Sequence, residues 1–394
     1  MLPECLPGGQ RADCLASPRT LRAVTFEARP QLHYLLPSDL GCVPQHISPA
    51  FAKIQEIVVY SVPLNIRFRG LTRRDGLLLR GPSGWGECAP FWDYDARVSA
   101  RWLRSALSLA TTPLPLAQRD EVPVNVTIPV CDEDEVERRI TSHPGCYTAK
   151  VKVADNVDDL ERDAERVNAT SRLLAERYGA KASVRIDANM AWSVSQATRA
   201  LSVLDEAAEP VGGLQYAEQP VKTVKEMARL RGRTPVPLAA DESIRLSEDP
   251  LAVLAQDAAD VAVLKVAPLG GIRPALDLAA RLGLSAVVSS ALDTSIGLAA
   301  GVIMAAALPD LPFACGLGTA SILAADVVDE SLNPTAPTWE GTPGAISVDA
   351  ASRTHTAPLT SDFDPVSPEL VERWVARLAQ MSQYTDEPLP AESR

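Results

Sequence analysis

The chain has 394 residues, 46% of them apolar and 22% charged, which suits one large globular domain or two smaller ones. Its 38 basic and 50 acidic side chains leave a formal net charge of −12, which argues against a nucleic-acid partner and against an anionic membrane surface. Seven cysteines form no C-x-x-C pair and read as buried or incidental thiols of a reducing compartment, and four histidines are too few to favour a His-based metal site or triad.

The first residues, "MLPECLPGGQ", carry Pro and Gly where a signal peptide needs an apolar core, so a cytoplasmic location is expected. Residues 1–53 show little periodicity and are expected to be a poorly ordered N-terminal extension, or residues translated from an upstream start. A self-contained pattern begins at "IQEIVVYSVPL", with strand-like runs at Ile57–Val62 and Gly76–Arg80, the turn "GPSGWGE" and a helix over Ala96–Ala110. This stretch, 54–120, reads as a small α+β module.

From Val122 the pattern changes to a repeat of apolar strand, loop and amphipathic helix. The strands are "VPVNVTI" (122–128), "TAKVKV" (148–153), "SVRIDAN" (183–189), "LQYAEQP" (214–220), "PLAADES" (237–243), "VAVLKVA" (261–267), "SAVVSSA" (285–291) and "FACGLGT" (313–319). Helices such as Asp158–Arg177 and Ser195–Ala207 lie between them. Eight β segments in such alternation predict a parallel sheet closed into a (β/α) barrel over 121–320. No G-x-G-x-x-G follows a first strand, which disfavours a dinucleotide fold. The apolar run 297–308 falls short of the ~20 residues that span a bilayer and reads as a buried helix. Beyond 320 the regularity fades: "NPTAPTWEGTPG" is rich in turn formers, Pro368–Met381 reads as a helix, and 382–394 as a disordered tail.

"TAKVKV" places Lys150 and Lys152 two residues apart on one strand, so both ammonium groups enter one space, where they repel each other. The charges to offset them lie at the C-terminal ends of the next three strands: Asp187 ends "VRID", Glu218 ends "QYAE" and Asp241 ends "LAAD". That face of a barrel builds active sites. Any one of these acids alone would read as a helix cap or a solvated loop charge. Three converging on one rim call for a hard divalent cation with oxygen ligands, and Mg²⁺ suits them. Lys265 supplies an ammonium from the far side. By the same alternation Arg185 and Asn189 share the face of Asp187. Arg185 could bind a substrate carboxylate or bridge to a neighbouring strand, and Asn189 could bond substrate or a metal-bound water or shape its loop. Ser289 and Ser290 could offer hydroxyls or backbone N–H groups to an anion.

"KVK", "RIDAN", "AEQP", "AADES" and "LKV", in this order on successive strands, resemble the enolase superfamily and within it the muconate-lactonizing subgroup, over about Ile54 to Asp326. More narrowly, "RFRGLTRRDGLLLRGPSGWGECAPF", "VPVNVTIPV", "TAKVKVA" and "SSALDTSIGLAAG" resemble the o-succinylbenzoate synthases of the actinobacterial type. The resemblance implies an α/β fold: a modified TIM barrel of the (β/α)7β kind, with an α+β capping domain that the segment 321–381 completes. It implies Mg²⁺ on Asp187, Glu218 and Asp241, with Lys152 as base, Lys150 as its partner and Lys265 on the opposite face of the substrate. The implied reaction is syn dehydration of 2-succinyl-6-hydroxy-2,4-cyclohexadiene-1-carboxylate, a small anionic substrate, to o-succinylbenzoate in menaquinone synthesis, by way of a metal-stabilised enediolate. Two other readings remain open. One is an N-succinylamino acid racemase or dipeptide epimerase of the same superfamily; the other is a non-catalytic barrel that serves as a binding module. The cap's "APFWDYD" offers Phe91, Trp92 and Tyr94, either over the barrel mouth or in packing within the module.

Overall fold

The structure is a computed structural model that describes residues 28–40, 49–68, 70–335 and 344–390. Most of the expected extension, at 1–27 and 41–48, lies outside the described residues, as do 336–343 of the turn-rich stretch and 391–394 of the expected tail.

The cap forms on one twisted sheet. Its strands are β1 (Gln31–Leu35), β2 (Glu56–Phe68), β3 (Leu71–Gly81) and β4 (Gly84–Cys88). β2 and β3 make a long antiparallel hairpin that pairs Val59 with Leu77, and β4 pairs antiparallel with β3. Alternation along β2 sorts its side chains between two cores. Ile57 and Val59 pack with Trp102 and Leu103 of α1 (Ala96–Thr111), while Val58, Tyr60 and Val62 pack against Leu323 and Val327 on the barrel side. Asp95 starts α1 by accepting the amide of Val98 at 2.8 Å. A Cβ at Gly86 would collide with the backbone of Ala106, so glycine there lets α1 lie directly on β4.

Residues 31–35, within the expected extension, form an ordered strand: β1 pairs with β2 along its whole length. Its partner on the other edge is supplied from far along the chain.

The barrel follows in sequence. After β5 (Glu121–Pro123) come β6 (Val126–Ile128), α2 (Glu133–Thr141), β7 (Thr148–Lys152), α3 (Leu160–Tyr178), β8 (Ser183–Asp187) and α4 (Val194–Ala207). Then follow β9 (Leu214–Glu218), α5 (Val224–Arg231), β10 (Leu238–Ala240), α6 (Glu242–Arg245), α7 (Ala252–Ala255), β11 (Val261–Leu264), α8 (Ile272–Leu282), β12 (Ser285–Val288) and α9 (Ser295–Ala307). Strands β6 to β12 form one parallel sheet in chain order. The expected strand 122–128 is broken at Val124–Asn125, and the last expected strand, 313–319, contributes only a bridge on each side. Those bridges close the ring: Cys315 pairs with Val124 and Gly316 with Ser289. Four backbone hydrogen bonds hold the seam, among them Asn125 N to Cys315 O at 2.9 Å and Gly316 N to Val288 O at 2.8 Å. The apolar run near 300 is α9, with Leu298 to Ala306 all buried.

The C-terminal segment turns back to the cap. β13 (Ala345–Ser347) pairs with β5, α10 (Val348–Thr356) follows, β14 (Asp364–Pro365) runs parallel to β1, and α11 (Pro368–Met381) lays Trp374, Leu378 and Met381 on the core of the cap. Among the described residues no helix is long and apolar enough to cross a membrane.

Cap and barrel are also tied by one buried carboxylate. Glu87 of β4 accepts hydrogen bonds from Tyr60 Oη at 2.5 Å, from Thr294 Oγ1 at 2.6 Å and from the amides of Thr294 and Gly297 at 3.1 and 2.9 Å. It thereby caps the N-terminus of α9 from another domain. A glutamine at this position would turn an amide NH₂ towards groups that are themselves donors. Glu87→Gln is therefore expected to cost about 2 kcal/mol, seen as a fall of several degrees in Tm; an unchanged Tm would show that the tie carries no stability.

Candidate active site

Strand register brings the charged residues together. Lys152, Asp187 and Glu218 are direct partners across β7, β8 and β9, and Lys150 stands two residues below Lys152 beside Arg185. Glu218 pairs with Ala239, and Asp241 lies two positions beyond it, on the same face. Lys265 follows the end of β11. The side chains of Asp187, Glu218 and Asp241 are almost wholly buried.

Each acid is closed by an ammonium. Lys150 Nζ lies 3.1 Å from Glu218 Oε2 and 3.6 Å from Asp187 Oδ2. Lys152 donates to Asp187 Oδ2 and, at 2.9 Å, to Asn189 Oδ1. Lys265 donates to Asp241 Oδ2 at 2.7 Å. A fourth cation, Arg245, reaches Asp241 Oδ1 at 2.9 Å and Glu242 Oε1 at 2.7 Å. Four carboxylates thus face four cations in a space that excludes most water.

This environment drives the two strand lysines in opposite directions. Burial pulls the Lys150 ammonium down, but Glu218 and Asp187 outweigh it and its pKa rises. Burial pulls Lys152 below its usual range, and the charge of Lys150 adds to that against the pull of Asp187. Glu218 is pushed up to about 7, first by burial and then by the charge of Asp187. For Asp187, Lys152 and Lys150 overcome burial and hold the carboxyl below its usual range.

Among the described residues no three His, Cys, Asp or Glu side chains stand close enough together to hold an ion as they are. The donor set nevertheless fits one. Asp187, Glu218 and Asp241 are buried on neighbouring strands, their charges act on one another, and all the ligand atoms they offer are oxygen, which is the chemistry of a hard divalent cation. Lys150, Lys152 and Lys265 occupy the acids from the flanks.

A cavity opens above this cluster. Lys150, Lys152 and Asp187 line one side, Lys265 and Ser289 the other, and Phe91 and Trp102 come down from the cap. Asn189, Ser290 and Thr319 also line it, with Ser290 Oγ 2.9 Å from Thr319 Oγ1. Of the charged groups singled out from sequence, Glu218 and Asp241 do not line the cavity, and neither does Arg185. It is fully buried beneath the cluster, where it donates to Tyr216 Oη at 2.7 Å, Ala314 O at 2.9 Å and Gln215 Oε1 at 2.5 Å. It bonds neighbouring strands and meets no substrate space. The backbone N–H groups of Ser289 and Ser290 are spent on Leu264 O and Gly316 O, and the Ser289 hydroxyl donates to Gly316 O at 3.4 Å. Of the cap aromatics, Phe91 reaches the cavity. Trp92 packs on Trp374, with ring centroids 4.6 Å apart, and Tyr94 bonds Arg245 at 2.9 Å.

Arg245, Glu242, Trp102, Thr127 and Thr319 escape the sequence reading. For Arg245 a signal exists: in "DESIR" it stands one helical turn after Asp241, the spacing of a side-chain ion pair.

Models of two protein families match. "Enolase C-terminal domain-like" covers residues 133–344 and "Enolase N-terminal domain-like" covers 59–110. An o-succinylbenzoate synthase of Thermobifida fusca is 50% identical over 275 residues, which span 70% of this chain and 84% of that protein. An o-succinylbenzoate synthase of Mycobacterium tuberculosis is 46% identical over 291 residues, spanning 74% and 85%. Among solved structures, a muconate cycloisomerase from Pseudomonas fluorescens aligns with TM-score 0.57 at 22% identity, over 75% of this chain and 97% of that one, a likeness of fold.

Removing the guanidinium of Arg245 would leave Asp241 and Glu242 buried without their shared partner. Arg245→Met is expected to lower unfolding free energy by about 3–5 kcal/mol, as measured by denaturant titration; a loss under about 1 kcal/mol would mean that the pair behaves like a surface bridge.

Proposed function

This chain belongs to the enolase superfamily, and from that membership we propose that it is a lyase that dehydrates 2-succinyl-6-hydroxy-2,4-cyclohexadiene-1-carboxylate to o-succinylbenzoate. The observation that carries the reading is the close relation, over most of both chains, to o-succinylbenzoate synthases. The lysine–carboxylate cluster at the foot of a cavity between cap and barrel supports it.

The superfamily uses a divalent metal. Here we assign Mg²⁺ to Asp187, Glu218 and Asp241; when bound it would supply positive charge to the substrate carboxylate whose α proton is to be removed. The rest falls to side chains of this chain. A proton α to a carboxylate is weakly acidic, and its loss leaves an enediolate with two negative oxygens. Lys152, on the cavity wall and depressed in pKa by burial, is placed to take that proton. The same ammonium, once formed, returns the proton to the departing hydroxyl on the same face, which makes the elimination syn and releases water. Lys150, held charged by Glu218, keeps positive charge under the reacting carbon. Lys265, on the opposite wall, faces the other side of the ring and stabilises the anion there. Phe91 and Trp102 shut the cavity from above and keep water from the anion. Aromatisation of the ring drives the reaction forward.

Direct assay of the succinyl-hydroxycyclohexadiene carboxylate should show dehydration that chelation abolishes and Mg²⁺ restores. Lys152→Ala and Lys265→Ala should each lower kcat by at least about 10²-fold while the circular dichroism spectrum stays that of the parent. Dehydration that survives chelation would reject the metal assignment, and normal turnover by Lys152→Ala would reject the base. Fast α-deuteration with inversion of an N-succinylamino acid in D₂O, without dehydration, would favour a racemase instead.

A further inference from the structure

We propose that Tyr94, in the cap, is a positioning residue for Lys152, acting through Arg245, Glu242 and Asn189. The inference rests on the reading of Lys152 as the base and concerns how that base is held.

The contacts form an unbroken line from one domain to the other. Arg245 Nη1 donates to Tyr94 Oη at 2.9 Å, and Arg245 Nη2 to Glu242 Oε1 at 2.7 Å. The same Glu242 oxygen accepts from Asn189 Nδ2 at 3.3 Å, and Asn189 Oδ1 accepts from Lys152 Nζ at 2.9 Å. The chemistry of each link fixes the next. Asn189 has one acceptor and one donor end; a flipped amide would set its NH₂ against the Lys152 ammonium and its oxygen against Glu242. Its backbone is in the left-handed region, at φ 44°, which asparagine adopts more readily than most residues.

Glu242 is the weak point of the line. It is 3% exposed, and its second oxygen, Oε2, finds no hydrogen-bond partner. The hydrogen bonds to this carboxylate are therefore those at Oε1, from Arg245 and Asn189. Arg245 in turn is held by the cap at two points: Tyr94 takes its guanidinium, and Arg101 of α1 donates to its backbone carbonyl at 2.8 Å. Tyr94 is itself braced between Phe91 and Trp102, with ring centroids at 6.0 and 5.5 Å, and both of those rings line the cavity. A seated cap thus fixes Arg245, and Arg245 fixes the carboxylate that orients the partner of Lys152. A cap that has lifted leaves the line without its outer anchor.

Tyr94→Phe removes the hydroxyl and keeps the ring, so folding should be intact. In the metal-loaded protein kcat is expected to fall about tenfold with KM little changed, and the primary deuterium isotope effect at the abstracted position should grow as proton transfer becomes more limiting. Asn189→Ala should lower kcat as well, and Tyr94→Phe combined with Asn189→Ala should lose no more than about twofold beyond Asn189→Ala alone, because both act along one line. Multiplying losses, or a Tyr94→Phe variant with parental kcat and isotope effect, would overturn the proposal. A readout that needs no substrate separates this from the functional reading. Backbone hydrogen exchange in a peptide spanning Asn189 should quicken in Tyr94→Phe, with peptides of α3 unchanged. If that exchange quickens while the parent protein fails to dehydrate the proposed substrate, the reaction is wrong and the coupling stands. If the parent dehydrates it and neither exchange nor kcat responds to Tyr94→Phe, the coupling is wrong and the reaction stands.

Discussion

Carboxylates can be buried together at one end of a barrel only if positive charge is buried with them. Asp187, Glu218, Asp241 and Glu242 are almost closed to solvent, and Lys150, Lys152, Lys265 and Arg245 are the cations that allow it. Breaking such a pair from one side leaves a charge that neither water nor protein compensates. The cluster therefore constrains the strands beneath it. A shift of one residue between β7 and β8 would send Lys152 and Asp187 to opposite layers of the barrel and put valine or isoleucine in their place. Well-packed apolar side chains would serve stability as well or better, so a cluster this costly marks a place where function overrides local stability.

The cap answers a second constraint. A parallel barrel leaves its C-terminal mouth open, and charges in an open mouth are screened by water. The cap closes it by tying itself down at two charged points. Glu87 enters the start of α9, and Tyr94 grips Arg245 beside the cluster. The C-terminal segment reinforces this, since β14 extends the cap sheet beyond β1 and α11 fills its core with Trp374. Both ends of the chain thus serve one lid, and the cavity walls include residues from both domains.

Much of this was legible in the chain. The alternation of strand and helix gave the barrel, period-two reasoning put Lys150 and Lys152 on one face, and their places at strand ends brought Asp187, Glu218 and Asp241 to one rim, because these signals are local. What escaped depends on contacts that are not. β1 is a short strand in a Pro-rich, weakly patterned stretch, and its order comes from pairing with β2 and β14, the latter over 300 residues away. Arg185 shares the inward face of Asp187, but alternation tells inward from outward and says nothing of depth. One step lower, the arginine meets Tyr216 and Gln215 rather than a ligand. The amides of Ser289 and Ser290 looked available until the seam at Gly316 claimed one of them. Tyr94 and Arg245 lie 151 residues apart, and no periodicity links a cap loop to a barrel helix.

The two lysines of "TAKVKV" differ by one step along a strand, and that step suffices to separate their chemistry. Lys150 lies deeper, its side chain 8% exposed, with Glu218 and Asp187 both in reach; its charge is held. Lys152 stands nearer the cavity at 17%, contacts Asp187 and the neutral Asn189, and feels the charge of Lys150 below it. The deeper ammonium is therefore a fixed cation that also makes its neighbour easier to deprotonate. Exchanging the acids on β8 and β9 for neutral residues would remove what distinguishes the pair, leaving two lysines competing for one proton deficit. The base and the permanent cation that we propose, made from identical side chains, require this asymmetry of depth and partners, and the register of three adjacent strands supplies it.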